Sequence, residues 1–197
     1  MGVAALRGAV GFLTRIPVGH DEPAWEAFRR SPVAFPLVGY VLGALAALPF
    51  LLPLPEPTVA VAFVLWLYLL TGITHVDGLA DVGDALVVHG SAADRREVLK
   101  DTTVGVGAVL SVAVVVAGIA LAALALAAEP RTAILLVVTG EVGAKLGMAT
   151  IACFGTATHD GLGSELTGSA RPRSFLAPAV VALPAVHMDW YQNDRGD

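Results

Sequence analysis

His75-Val76-Asp77-Gly78-Leu79-Ala80-Asp81-Val82-Gly83-Asp84 follows directly on an apolar run, Val59–Ile73. Read as a helix, this stretch has Asp81 four residues after Asp77 and Asp84 three after Asp81. At about 100° per residue, the three carboxylates fall within an arc of about 60°, one face of the helix. Like charges that close repel unless a cation lies among them. The face is therefore either solvated or a divalent-metal site. Its start at the end of an apolar run, close to lipid, favours the metal.

The rest of the chain makes the apolar run a membrane span. Of 197 residues, 56% are hydrophobic and 15% charged, against about 25% charged in ordinary soluble domains. Mean hydropathy is +0.74. The expected fold is all-α: a polytopic membrane bundle of about four to five transmembrane helices with an N-terminal interfacial helix. A single membrane-embedded domain, 1–188, and a polar tail, 189–197, are expected. The net charge of −5 is mild and no basic patch is interleaved with aromatics, which argues against a nucleic-acid partner. The single cysteine, Cys153, excludes an intrachain disulfide framework.

Residues 1–19 place Leu6, Val10, Phe12 and Leu13 at roughly helical spacing with Arg7 and Arg15 among them. This reads as an amphipathic helix on the membrane surface, ended by Pro17 and Gly19. Residues 20–32 are polar. Val33–Leu54 holds 22 uncharged residues, enough to cross a bilayer, and its Gly39–Gly43 pair would let a neighbouring helix approach closely. Thr58–Thr74 is the second span and runs straight into the acidic stretch. Polar residues 75–102 follow, then a third span, Thr103–Ala128, and a fourth, Thr132–Cys153. Residues 154–173 are polar again, and Phe175–Met188 is a short fifth apolar segment containing Pro178 and Pro184.

On this layout Arg7, Arg15, Arg29, Arg30, Arg95, Arg96, Lys100, Arg171 and Arg173 share one side, and the opposite turns carry only Arg131 before the tail. The positive-inside rule then puts the acidic stretch on the cytoplasmic face of the cell membrane.

Mg²⁺ is typically held by one or two carboxylates, with substrate phosphates and water completing its octahedron. Asp77, Asp81 and Asp84 are the candidate ligands, and Asp101, before the third span, could complete the site or simply cap that helix. His75 suits a general base or a structural donor. Arg95, Arg96 and Lys100 could clamp phosphate or merely mark the cytoplasmic side. Glu141 and Lys145 stand at i,i+4 inside the fourth span, and read equally as a self-neutralising pair or a substrate contact.

These residues resemble a known family. Thr74–Asp84 resembles the His-x-Asp-Gly-Leu-Ala-Asp-x-x-Asp signature of cobalamin synthase, the adenosylcobinamide-GDP ribazoletransferase family. Phe12-Leu13-Thr14-Arg15-Ile16-Pro17-Val18, Phe35-Pro36-Leu37-Val38-Gly39 with Gly43, Lys100-Asp101-Thr102-Thr103-Val104-Gly105 and Gly161-Leu162-Gly163 resemble further family segments in the expected order, over roughly residues 4–185. The resemblance implies an Mg²⁺-dependent phosphotransferase. A ribose hydroxyl of α-ribazole, or of its 5′-phosphate, attacks the pyrophosphate of adenosylcobinamide-GDP, and GMP leaves. It further implies Mg²⁺ at Asp77, Asp81 and Asp84, support from Asp101, base function for His75 and a phosphate contact for Lys145. A homo-oligomer is compatible with it.

Two departures stand out. Thr103 replaces a frequently basic residue, and His187–Asp197 does not resemble the family's late Gly-Gly-x-x-Gly-Asp region. The expectation is a C-terminally truncated or altered member. The alternatives are a CDP-alcohol-type lipid phosphotransferase, an inactive remnant and a cation transporter.

Overall fold

The computed structural model describes residues 2–19, 21–72, 74–99, 103–157 and 160–193. They form ten α-helices in order: α1 (Val3–Leu13), α2 (Glu22–Arg29), α3 (Ala34–Ala46), α4 (Glu56–Thr71), α5 (Thr74–Val87), α6 (Ala92–Val98), α7 (Val106–Leu126), α8 (Pro130–Phe154), α9 (Leu162–Ser169) and α10 (Leu176–Asn193). No strand occurs among the described residues. The helices gather into two compact units, Met1–Leu52 with Glu129–Asp197, and Pro53–Ala128.

In the first unit, α1 buries Ala5, Ala9 and Leu13, a stripe at i, i+4, i+8. It stops at Leu13, ahead of the expected Pro17 and Gly19. The Thr14 hydroxyl donates to the Val10 carbonyl at 2.7 Å and accepts from the Ile16 amide at 3.1 Å, which turns the chain out of the helix. Polar residues 20–32 contain α2, begun by Asp21, whose Oδ1 accepts from the Ala24 amide at 2.7 Å. Phe12, Trp25, Phe28 and Phe35 join α1, α2 and α3 through rings 4.9 to 5.8 Å apart. Polar residues close the outside. Arg7 pairs with Asp21, Arg29 and Arg30 with Glu26, and Trp25 Nε1 donates to Glu165 on α9 at 2.8 Å.

The Gly39–Gly43 pair does what its spacing predicts. A Cβ on Gly39 would lie 2.8 Å from Val142 Cα, and one on Gly43 2.6 Å from Val138 Cα, so α3 and α8 touch backbone to backbone. α10 completes the core with Ala182 and Ala185 against Val138 and Val142. Pro184 lies inside α10 and removes one helical donor. The Tyr40 hydroxyl, from α3, donates to the Val181 carbonyl and accepts from the Ala185 amide, both at 3.0 Å. It thereby bridges the acceptor and donor that an unbroken helix joins to each other. Such re-satisfaction from a neighbouring helix is how a membrane helix tolerates proline.

In the second unit, the second span does not continue into the acidic stretch. α4 ends at Gly72, which adopts φ +70°, a conformation that favours glycine. The axis then swings by 97° into α5. α7 starts at Val106, three residues later than expected, because its N-cap is Gly105. α6 opens with a reciprocal capping box. The Asp94 amide donates to Ser91 Oγ at 3.3 Å, and the Ser91 amide donates to Asp94 Oδ2 at 2.6 Å.

Among the described residues three helical stretches are long and apolar enough to cross a membrane: Ala34–Leu51, Val106–Leu126 and Pro130–Phe154. The bent α4–α5 pair makes a fourth if counted as one broken span. Along α7 only Gly107, Ala108 and Ala123 are buried, and Val109, Leu110, Val114 and Leu121 are each more than half exposed. A helix apolar on every side with so little protein around it belongs in lipid. The chain is an all-α polytopic membrane protein.

Candidate active site

The acidic stretch is helical, as its spacing required, and α5 carries His75, Asp77, Asp81 and Asp84. Their surroundings separate them. His75 and Asp77 are exposed, and Asp81 and Asp84 are half-buried. Among the described residues neither Asp77 nor Asp81 accepts a hydrogen bond from, or pairs with, a protein side chain. Asp84 is fully engaged by α7. Its Oδ2 accepts from the Gly105 amide at 2.7 Å and its Oδ1 from the Ala108 amide at 2.8 Å.

The expected cluster of three carboxylates is therefore corrected. Among the described residues no three His, Cys, Asp or Glu side chains come together closely enough to hold an ion. The three carboxylates share an arc of α5 but not a height along it. Seven residues of helix separate Asp77 from Asp84 by about 10 Å along the axis, too far to share one cation, whereas Asp77 and Asp81 are about 6 Å apart. Two hard oxygen donors one turn apart, with no protein cation paired to them among the described residues, fit Mg²⁺, which commonly takes one or two carboxylates and leaves the remaining positions to phosphate and water.

The other candidates divide by location. Arg95 and Arg96 are exposed on α6, in the same unit as α5, and carry no ion pair among the described residues. On α6, hydrogen bonds from the Ser91 amide and hydroxyl hold the Asp94 carboxyl below its ordinary pKa. Lys100 and Asp101 lie outside the described residues. Lys145 belongs to the other unit, where its Nζ meets Glu141 Oε2 at 2.9 Å and its side chain is 6% exposed. That geometry is the self-neutralising pair, since a buried ammonium inside a span needs a counter-charge. The first unit also holds a cavity of about 450 Å³, lined in part by Phe12, Phe35, Met148, Ile151, Gly163 and Leu166, so that three of the family-like segments, those at Phe12, Phe35 and Gly161–Gly163, meet at its wall. Its residues come from four separate stretches of the chain, three of them apolar helices and the fourth the polar segment after α8, so no single stretch marks it.

The family model for cobalamin-5-phosphate synthase matches residues 5–191. The chain belongs to the cobalamin-5-phosphate synthase family. The match reaches six residues beyond the 185 at which the visible likeness ended. Among curated relatives, the adenosylcobinamide-GDP ribazoletransferase of Halorubrum lacusprofundi is 53% identical, over 98% of this chain and 78% of its own length. The enzyme of the same name from Haloquadratum walsbyi is 50% identical over 93% and 74%. That of Methanocella arvoryzae is 33% identical over 92% and 69%. No solved structure matches the chain. The family match includes the whole of α5, where Asp77 and Asp81 carry no protein partner among the described residues.

Proposed function

We propose that this protein is the transferase that joins ribazole to adenosylcobinamide-GDP, the nucleotide-loop assembly step of cobalamin biosynthesis. The relationship over residues 5–191 carries the reading, because it spans both units and includes α5 entire. One ribose hydroxyl of the acceptor forms a bond to the phosphorus that carries cobinamide. The pyrophosphate P–O bond breaks, GMP leaves, and the hydroxyl proton passes to a base. The family's description as a cobalamin-5-phosphate synthase favours an acceptor that already carries its 5′-phosphate, with attack from a different ribose hydroxyl.

The finer assignment rests on the geometry of α5 and α6. Asp77 and Asp81 would hold Mg²⁺, and when bound the ion neutralises charge on the pyrophosphate and orients it. His75, two residues before Asp77 in the first turn of α5, is the base whose imidazole nitrogen takes the hydroxyl proton. Arg95 and Arg96 offer guanidinium donors to the departing GMP phosphate. Lys145 stays with Glu141 in this scheme. The site faces the cytoplasm.

The test is turnover by the purified 197-residue chain in lipid, with adenosylcobinamide-GDP and α-ribazole 5′-phosphate or α-ribazole, following GMP by chromatography. GMP released in proportion to joined product, and lost on chelating divalent metal, is the expected result. Turnover of a CDP-linked lipid substrate, with none of cobinamide, would replace this reading with a lipid phosphotransferase. Activity unchanged in excess EDTA would remove Mg²⁺ from it.

A further inference from the structure

Asp84 shares a helix face with Asp77 and Asp81, yet the structure gives it different work. The N-cap of α7 is Gly105, a residue without a side chain, so the helix has no capping side chain of its own. The first amides of a helix are left without intrahelical acceptors. Asp84 supplies acceptors from outside, one oxygen to the N-cap amide of Gly105 and the other to the N3 amide of Ala108. These are the two amides that a capping box satisfies within one helix. The carboxylate charge also faces the positive end of the α7 dipole.

The surrounding contacts are built around that cap. A Cβ on Gly105 would lie 2.8 Å from Asp84 Cγ, so the N-cap glycine leaves room for the incoming carboxylate. One turn on, a Cβ on Gly83 would lie 2.7 Å from the Gly107 carbonyl oxygen, and one on Gly107 would lie 2.9 Å from the Gly83 carbonyl carbon. α5 and α7 are therefore interlocked backbone to backbone at the point where the carboxylate crosses. Gly105 has φ −89° and ψ 177°, extended backbone that a serine N-cap adopts as readily.

We propose that Asp84 is a positioning residue: it caps α7 from α5 and so fixes the acidic helix against a membrane span, leaving the metal to Asp77 and Asp81. The second half of this statement rests on the Mg²⁺ reading above, and the first half does not. A carboxylate held by two amides gives α5 one rotational setting relative to α7. Asp81 and Asp77, one and two turns earlier, inherit that setting.

Two measurements on the full-length chain in nanodiscs test it. The first is Mn²⁺ binding by electron paramagnetic resonance in the presence of adenosylcobinamide-GDP. Asp77→Asn is expected to weaken Mn²⁺ more than tenfold, and Asp84→Asn to leave it within about twofold of wild type. Loss of Mn²⁺ in Asp84→Asn as deep as in Asp77→Asn would overturn the assignment. The second is rescue. Asp84→Ala uncaps α7, and adding Gly105→Ser places a hydroxyl acceptor at the N-cap in the space the carboxylate vacated. The double variant is expected to recover at least tenfold of the kcat lost in Asp84→Ala, with KM little changed. A double variant as impaired as the single one, though inserted and folded by circular dichroism, would refute capping as the role. If wild type itself binds no Mn²⁺, the Mg²⁺ reading falls and the rescue alone decides the capping role.

Discussion

At the scale of single residues, chemistry is separated by what each carboxylate already holds. Asp77 and Asp81 hold nothing from the protein among the described residues, so their charge is available to an ion. Asparagine at either position keeps the shape and removes the charge. Asp77→Asn and Asp81→Asn should each lower kcat by about 100-fold or more, the scale of several kcal/mol of lost charge stabilisation, with membrane insertion unchanged. Full turnover in either variant would end the metal role. His75→Ala should lower kcat by about 10² to 10⁴, the range for a general base, while KM for adenosylcobinamide-GDP stays near wild type. An equal rise in KM would make the histidine a binding residue instead. Asp94 is a purely structural case. Its pKa is lowered by the Ser91 hydrogen bonds, so its support for α6 is full above the ordinary carboxylate pKa of 3.8 and is lost as pH falls through the lowered folded value.

At the scale of elements, close backbone approach carries the packing. Gly43→Leu would drive a side chain into Val138 on α8, where the nearest backbone atom already stands 2.6 Å from the site of a Cβ. Overpacking of this kind costs about 1–3 kcal/mol and often more. Unfolding in mixed micelles should therefore begin at lower denaturant for Gly43→Leu than for wild type, and a coincident curve would show that α3 and α8 are not in contact in the bilayer. Tyr40→Phe tests the other device, the hydroxyl that bridges α10 beside Pro184. Removing it leaves the Val181 carbonyl and the Ala185 amide without that partner, at a cost of about 1–3 kcal/mol for buried groups.

The spacing of Gly39 and Gly43 made the first of these contacts legible in advance, because GxxxG encodes close approach within one segment. Tyr40 was not legible, since its partners are about 140 residues away and nothing in its own neighbourhood marks them. The same limit explains the acidic stretch. Periodicity along one helix gave the shared face of Asp77, Asp81 and Asp84. The diversion of Asp84 depends on where the N-terminus of another helix falls, and the sequence blurred that by offering Asp101 as an earlier cap. The helix α2 was missed although Asp21 and Pro23 are ordinary start signals, because a polar stretch before a span reads first as a loop.

At the scale of the whole molecule, charge decides orientation. Nine of the twelve bases fall in the segments expected to share a side, and Arg131 in a turn expected opposite them. Arg and Lys near span ends set topology through their retention in the cytoplasm, and the proposed nucleotide substrate would be met on that side. The chain offers a clean way to measure this. Its single cysteine, Cys153, is 4% exposed, so it gives little background to a charged, membrane-impermeant maleimide. Arg95→Cys, on exposed α6, should be labelled only after cells are opened. Arg131→Cys, in the first turn of α8, should be labelled in intact cells. Labelling of both from the same side would break the assumed order of crossings, and with it the cytoplasmic placement of α5. Labelling of Arg95→Cys in intact cells would invert the molecule, leaving Asp77 and Asp81 on the wrong side of the membrane for cytoplasmic substrates.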